Sequence, residues 1–599
     1  MQGHRWICGE LANQAGKVSI WSITTGGKIN ISSPILVMMI FLVFLSHGCG
    51  SNSTTPKADT IFTGGPIVTV NPDMPEAQAI AVKDGLIMAV GDEKTIKDST
   101  LGARTKIVDL AGHTLMPGFV EPHVHIVGTA VQTILTPYLS NWTANYDTLD
   151  QIVQKLKALL PNVPPGGWLT GFGVDPSRTT PFMAALDANT LDQVSATVPI
   201  FILNQSGHIA YVNHKAFELA GITNSTPDPE GGKYVKDANG NLTGELQELS
   251  SFVAFQAKMP LPSQNDIAAA LKKLSKQLAA KGITTSAEIS LGPTLGFDLE
   301  RNLLQGLAAD PTTPIRIRAY LYGPSIPTPN PVTLNQGDDR LRYVGVKYVA
   351  DGSTQGLTAA LNQPYTYPAG TSNTGSLDYP DTAAFLSQVK KYFDTGWQVS
   401  IHANGDRTIN QVLGIYSQLL AGNPHPETRR LRIEHFTVTT DAQCDLVKQL
   451  GITPSMTIGH VFFWGAAFNN QIIGPARAQR IDPTGSLRQR GVRFAFHSDS
   501  PVSPFEPLRY ITNGVPRLWQ ASPQQVLGPD QRISVDEAIR AVTLDAAYQL
   551  FSDDKLGSLE VGKLADFVVL EKNPRTTDPN DIINIKVLET YLSGVKQSW

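Results

Sequence analysis

"TLMPGFVEPHVH", Thr114 to His125, is an apolar run that meets a Pro-Gly pair and ends on two histidines one residue apart. Successive side chains of a strand point to opposite faces, so His123 and His125 share one face and Val124 takes the other. One metal ion can then be gripped by both imidazoles. An isolated H-x-H is a weak signal, since the pattern also arises by chance in a long chain. Its weight depends on what the rest of the chain places beside it.

Working outward, the same phrase recurs: a helix-like segment, a Gly or basic residue, then a short apolar strand ending in polar residues. It is found as "GITTSAEIS" (282 to 290), "IRIRAYLYG" (315 to 323), "YVGVKYVADGS" (343 to 353), "WQVSIHANGD" (397 to 406), "RLRIEHFTV" (430 to 438), "GITPSMTIGH" (451 to 460) and "GVRFAFHSDSP" (491 to 501). With the opening stretch that makes eight strands. Helical segments at Ile267 to Lys281, Thr382 to Thr395, Thr408 to Leu420 and Ala442 to Leu450 separate several of them, and strand–helix alternation predicts a parallel sheet. Eight such units predict an α/β fold, the (β/α)8 TIM barrel, whose reactive side chains gather at the C-terminal ends of the strands. The 599 residues leave room for such a barrel and for satellites.

The polar residues fall at those ends. "IHANGD" puts His402 at the end of the fifth strand, "IEHF" puts His435 at the end of the sixth, and "HSDSP" puts Asp499 at the end of the eighth. Together with His123 and His125 they make four imidazoles and a carboxylate on one rim, a donor set for a divalent ion with Zn²⁺ favoured and Mn²⁺, Fe²⁺ or Ni²⁺ admitted. Lys347 ends the fourth strand, where an ammonium should be repelled by a metal. Burial and metal charge lower a lysine's pKa, however, and the neutral amine can add carbon dioxide to become a carbamate, an anionic ligand able to bridge two ions. The alternative is an ion pair of Lys347 with Asp351 or Glu434, which leaves a one-metal site. His460 ends the seventh strand and is a candidate for touching substrate. His497 shares a face with Asp499, as a partner of the ligands or a pocket wall. Phe462, Phe463 and Trp464 offer either an apolar acyl pocket or plain packing, and Asp406 and Arg407 read as fixing the loop after strand five.

Lys plus Arg (48) nearly balances Asp plus Glu (52), and no basic run is interleaved with aromatics, so neither nucleic acid nor a membrane surface is indicated as a partner. A small-molecule substrate is. The three cysteines, Cys8, Cys49 and Cys444, form no C-x-x-C pair, which excludes a disulfide framework and a thiolate zinc site. Residues 1–55 read as a leader: "ILVMMIFLVFL", Ile35 to Leu45, is a secretory h-region with Lys28 before it and small polar residues after it. Cys49 stands where a bacterial lipoprotein would be cleaved and lipidated, although Ser46 and His47 depart from the usual residues. The expected location is the bacterial cell envelope or periplasm, with a lipid anchor at Cys49 as one alternative and an uncleaved membrane anchor as another. The sequence leaves a homo-oligomer open.

Domain bounds follow from the punctuation. Short β-branched runs broken by Gly-Gly and Asp-Gly over 56–114 find a counterpart in "LGSLEVGKLADFVVLEKNP" and "INIKVLETYLSGVKQSW" over 554–599, so both chain ends are read as one β-domain. The first barrel strand is read as 115–126 and the remaining barrel as 277–553. Residues 127–276, too long for a barrel loop, are read as an inserted cap domain.

"LMPGFVEPHVH", "VKYVADGS", "IHANGD", "RIEH", "FHSDSPV" and "GSLEVGKLADFVVL" resemble, in order, the motifs of the amidohydrolase superfamily, in particular its amidohydrolase 3 branch with the N-substituted formamide deformylase-like enzymes. The resemblance covers Ala58 to the C-terminus. It implies a distorted (β/α)8 barrel with a composite β-sandwich, and metal ligands at His123, His125, carboxylated Lys347, His402, His435 and Asp499. "QSGHIAYVNHKAFELAGI" resembles the family's cap segment, with His208 facing the substrate. Glu121 for the commoner Asp, His497 for a small residue and the lack of an Arg in "DGSTQGLTAAL" depart from the pattern. The implied activity is metal-dependent hydrolysis of carbon–nitrogen bonds, with one or two zinc ions, Asp499 as general base, and His208, His460 or a metal steadying the oxyanion. A catalytically silent, regulatory barrel and an esterase or lactonase on the same site are the competing readings.

Overall fold

Runs of valine, isoleucine and aromatic residues pair edge to edge as eight parallel strands: β1 (Phe119–Val124), β2 (Ile283–Leu291), β3 (Arg316–Tyr322), β4 (Leu341–Val349), β5 (Gln398–Ala403), β6 (Arg432–His435), β7 (Thr453–Met456) and β8 (Ala495–Phe496). These strands come from a computed structural model that describes residues 56–599 apart from 140, 141, 143–146 and 185. The leader, its h-region and Cys49 lie outside the described residues. Among the described residues no helix is long and apolar enough to cross a membrane.

Neighbours in the sheet are neighbours in sequence, and the ring closes where Val124 bridges Ser500 in parallel and the His125 N–H donates to the Ser500 carbonyl at 3.0 Å. β8 is only two residues long, so this seam is the thinnest part of the wall. The helix Gln264–Ala280 shows why helices face the sheet: Ile267, Leu271, Leu274 and Leu278, three or four residues apart, are buried on one stripe, and Ser263 caps its N-terminus. That stripe belongs to the barrel core, as do Ile126, Val127 and Ala130. Both ends of the segment 127–276 thus pack as barrel, and the cap sheet lies within it: Leu169–Val174, Ile200–Asn204, Ile209–Val212, Leu242–Gln247 and Lys233–Lys236, in that spatial order.

The stretch 115–126 is two strands rather than one. Thr114–Pro117 pairs antiparallel with Phe567–Leu570 in a six-stranded sheet made from both chain ends, and only Phe119–Val124 joins the barrel. Gly118 is the crossing point, where a Cβ would lie 2.3 Å from the Thr284 side chain. Phe62, Ile67, Ile80, Leu115, Phe567 and Tyr591 fill the core of this composite sandwich. Its attachment to the barrel includes a buried bidentate pair, with Arg316 Nε 2.7 Å and Nη2 3.0 Å from the two oxygens of Asp566. Removing one partner of such a pair strands the other's charge. Asp566→Ala is therefore expected to cost about 3–5 kcal/mol of stability, read as a drop in the urea midpoint; an unchanged midpoint would show that the guanidinium finds water instead.

Candidate metal centre and catalytic cavity

Asp499 is the hub. One carboxylate oxygen, Oδ1, lies 2.9 Å from His123 Nε2 and 3.2 Å from His125 Nε2, while His435 Nδ1 is 3.9 Å from Oδ2. Despite the short separations, neither His123 Nε2 nor Asp499 Oδ1 makes a hydrogen bond within the described residues, although both are buried. Two buried polar atoms that approach without bonding are aimed at a common point rather than at each other. That is the arrangement of ligands around a cation, and imidazole with carboxylate is a donor set that divalent ions accept.

The strands aim these groups in different ways. His123 follows the alternation of β1. Its Nδ1 is 2.7 Å from Glu434 Oε2, which fixes the proton on Nδ1 and leaves Nε2 for the site. Glu434 is itself gripped by Ser400 Oγ at 2.6 Å and by Arg432, whose Nη2 donates at 2.9 Å. Burial opposes the charge on Glu434, but Arg432 outweighs it and holds the carboxyl well below its usual range. On β6 Arg432 and Glu434 both point into the barrel, so strict alternation would turn His435 outward. Left-handed backbone at His435 (φ 71°) and Phe436 (φ 50°) breaks the alternation and brings the imidazole in, 4.3 Å between ring centres from His402. Asp499 also has positive φ, 56°. Such conformations are costly for these residues and persist only where the surroundings impose them.

His402 ends β5 with Nε2 3.2 Å from the Gly352 carbonyl and 3.3 Å from Asp351 Oδ1, which leaves Nδ1 as its remaining nitrogen. His435 Nδ1 is 2.7 Å from Thr457 Oγ1, which leaves Nε2. Burial pushes His125 down to about 4 and lowers His402 and His435 as well, so all three are neutral imidazoles near pH 7, the form that ligates metal. Asp499 is held well below the carboxylate range, because its neighbours, His123 first among them, outweigh the burial that opposes its charge.

Lys347 is 1% exposed and forms no ion pair with any described residue. The expected alternative, pairing with Asp351 or Glu434, is not present. Glu434 is occupied as above, and Asp351 accepts from the backbone of Ala360, Asn404 and Gly405 and from Thr408 Oγ1. Burial brings the Lys347 amine down to about 8, against the pull of Glu434 and Asp499.

Lys347, His125, His402, His435 and Asp499 form the floor of a cavity of about 130 Å³, roofed by cap residues that include Leu203, His208 and Phe252. His208 stands 4.8 Å from the His402 ring, centre to centre, and its Nδ1 is 2.7 Å from Glu248 Oε2. Burial disfavours charge on His208, yet Glu248 outweighs it and raises the imidazole above its ordinary value.

His460, expected at the substrate, is not among the residues lining that cavity. The backbone turns at Gly459 into a wide helical turn, His460–Trp464, which tucks the imidazole 3.5 Å from Asp482 and against Trp464 and Phe468. Phe463 and Trp464 likewise pack, with Trp464 Nε1 donating to Asp175 at 2.7 Å, and do not form an acyl pocket. His497 has both nitrogens engaged, by Ser455 at 2.7 Å and Thr457 at 2.8 Å, and stacks on His123. Glu121 accepts from Tyr510 Oη at 2.7 Å and does not reach the centre. Asp406 accepts from the Asn362 N–H and Arg407 donates to the Gly375 carbonyl, so both brace the loop after β4. The sequence carried no signal for Glu248; Glu434, next to His435 in "RIEH", had one in the alternation of the strand.

Glu434→Gln keeps the shape but weakens the hold on His123 Nδ1, and is expected to reduce metal affinity about 10–100-fold in chelator competition. Unchanged affinity would mean that Glu434 serves Arg432 alone.

The amidohydrolase family model matches residues 106–596. The chain is 28% identical over 587 residues to Protein LONG AFTER FAR-RED 3 of Arabidopsis thaliana, covering 95% of this chain and 97% of that one. It is 25% identical over 556 residues to N-substituted formamide deformylase of Arthrobacter pascens, covering 90% of this chain and 98% of that one. A solved metal-dependent hydrolase from Pyrococcus horikoshii shares the fold with a TM-score of 0.66 at 23% identity, over 87% of this chain and 99% of that one.

Proposed function

The chain belongs to the amidohydrolase family, and from that premise we propose that it is a metal-dependent hydrolase of carbon–nitrogen bonds other than peptide bonds, in amides, N-acyl amines or cyclic amides. The observation that carries the reading is the unbonded approach of His123 Nε2 to Asp499 Oδ1 at 2.9 Å. His123, His125, His402, His435, Asp499 and Lys347, carboxylated on Nζ, would hold one or two divalent ions, zinc first among them. When bound, the metal lowers the pKa of water toward neutrality and polarises the substrate carbonyl.

The side chains do the rest. Asp499, kept ionised by the imidazoles around it, accepts a proton from the attacking water and returns it to the leaving nitrogen as the carbon–nitrogen bond breaks. His208, its Nδ1 held by Glu248, offers Nε2 to the oxyanion that forms on the former carbonyl oxygen. His460, seated against Asp482, takes no part at the reacting atoms. Leu203, Phe252 and the rest of the cap wall keep bulk water from the cavity. The deformylase relative supports the amide class, and the unbroken donor set argues against a silent barrel. An ester needs no change in any of these residues, so matched amide and ester substrates decide the leaving group.

The test is metal quantification on purified protein, with and without bicarbonate, followed by a panel of chromogenic amides. Stoichiometric metal without turnover of any of them sinks the hydrolase reading. From the leader we infer export to the bacterial envelope, with Cys49 as a lipid anchor; a Cys49→Ala variant that stays with the membrane fraction to the same extent would remove lipidation from this account.

A further inference from the structure

Beneath the metal centre lies a row of buried polar side chains that the chemistry above does not use: Ser455, His497 and Thr457, each 0% exposed. Their placement follows from strand pairing. β7 and β8 run side by side with Ser455 opposite Ala495 and Met456 opposite Phe496, and the His497 N–H donates to the Met456 carbonyl at 3.0 Å. Ser455 and Thr457 share a face by the two-residue period, and His497 enters between them. Ser455 Oγ lies 2.7 Å from His497 Nδ1, and Thr457 Oγ1 lies 2.8 Å from His497 Nε2. The row ends on a metal ligand, with Thr457 Oγ1 2.7 Å from His435 Nδ1. His497 Nε2 is itself 3.3 Å from His435 Nδ1, a longer contact along the same path. His497 is near enough to His123 and His435 to share an ion with them, but both its nitrogens are already bonded within the row.

A hydroxyl carries one proton to donate, and so does a neutral imidazole. The polarity of the row is therefore all-or-none. In one sense His435 Nδ1–H donates to Thr457, Thr457 O–H donates to His497 Nε2, and His497 Nδ1–H donates to Ser455. His435 Nε2 then has its lone pair free. In the opposite sense Ser455 donates to His497 Nδ1, Thr457 donates to His435 Nδ1, and the His435 proton sits on Nε2, where it blocks ligation. Thr457 and His497 are sealed from solvent, so bulk water supplies no other acceptor.

We propose that His497 is a positioning residue for His435: it accepts the Thr457 hydroxyl hydrogen bond and so commits His435 to the tautomer whose Nε2 is free for metal. Without an acceptor at position 497, the Thr457 hydroxyl has only His435 Nδ1 to turn to, and the blocked tautomer gains. This role rests on the metal centre proposed above, though not on turnover of any amide.

The probe is Zn²⁺ alone, shared between the whole protein and a chromophoric chelator. His497→Phe keeps a flat ring to stack on His123, 4.4 Å between centres in the native protein, and removes both nitrogens. It is expected to bind zinc about 10–100-fold more weakly than wild type. Thr457→Val, which keeps the shape and loses the hydroxyl, should lose about tenfold, and Thr457→Ser, which restores the hydroxyl, should bind as wild type does. In the double variant there is no hydroxyl left to turn, so His497→Phe should cost less in the Thr457→Val background than in wild type. Thermal melts confirm folding, and the valine and serine variants carry the test if His497→Phe is not folded. Full affinity in folded His497→Phe or Thr457→Val, a serine variant as weak as the valine one, or the same cost of His497→Phe with and without the hydroxyl each overturns the proposal. A wild type that binds no zinc overturns it together with the metal centre, whereas zinc binding with the expected order of variants upholds it even where no amide is turned over.

Discussion

Asp499→Asn is expected to lower kcat about 10³–10⁴-fold on any amide the protein turns over, while KM moves little and the chain remains folded. The asparagine keeps the shape of the side chain and one oxygen donor but cannot carry the proton from water to the leaving nitrogen. Metal content separates this from a binding defect. His123, His125, His402 and His435 remain, so at least one ion per chain should still be found by metal analysis. Turnover within about tenfold of wild type would remove Asp499 from the role of base, because a general base contributes at least about 10²-fold. Loss of all metal would instead assign it to coordination alone.

The magnitude expected here follows from position. Asp499 is buried and held ionised, His123 first among the neighbours that outweigh its burial, so it supplies a negative charge on a rim of imidazoles. Its oxygen Oδ1 is shared between His123 and His125 at 2.9 and 3.2 Å. Among the described residues no other carboxylate lies so placed: Glu434 is saturated by Arg432, Ser400 and His123, and Asp351 by backbone amides and Thr408. A second group cannot take over the proton transfer without rebuilding the floor of the cavity.

Much of this was legible before any coordinates, for a definite reason. Barrel strands are short and buried on both faces, so each reads as a largely apolar run, and the ligand-type residues at or just past their C-terminal ends, Lys347, His402, His435 and Asp499, were brought together beside His125. The reading failed where a local backbone event overrides periodicity. His435 enters the site through two successive positive-φ residues, neither of them glycine, and nothing in "RIEHF" announces that. Taking it as an inward strand residue reached the right place while hiding Glu434, which holds the inward position. His460 failed the other way: it ends β7 in sequence, but the turn at Gly459 carries it into packing against Asp482. The Pro-Gly pair of the first stretch was visible as punctuation, yet only the pairing of Thr114–Pro117 with Phe567–Leu570, far away in sequence, makes it the border between two sheets.

Lys347→Met is expected to separate the structural from the chemical role of this lysine on the barrel rim. Lys347 is buried, makes no ion pair with a described residue, and lies on the floor of the cavity beside His402 and Asp499. An unpaired buried amine is a liability to the fold, and replacing it with an apolar side chain of similar length should leave the metal-free protein as stable or raise its Tm. If the amine exists to be carboxylated, the same change removes an anionic ligand. Metal content should then fall by about one ion per chain, bicarbonate should no longer increase it, and kcat should drop about 10²-fold or more, the scale of losing a positioned catalytic group. A purely structural lysine predicts the opposite pair of results: a lower Tm in the methionine variant, with metal content and bicarbonate response unchanged. Because stability and metal loading move in opposite directions under the two accounts, a melt and a metal analysis on the same preparation decide between them without knowledge of the substrate.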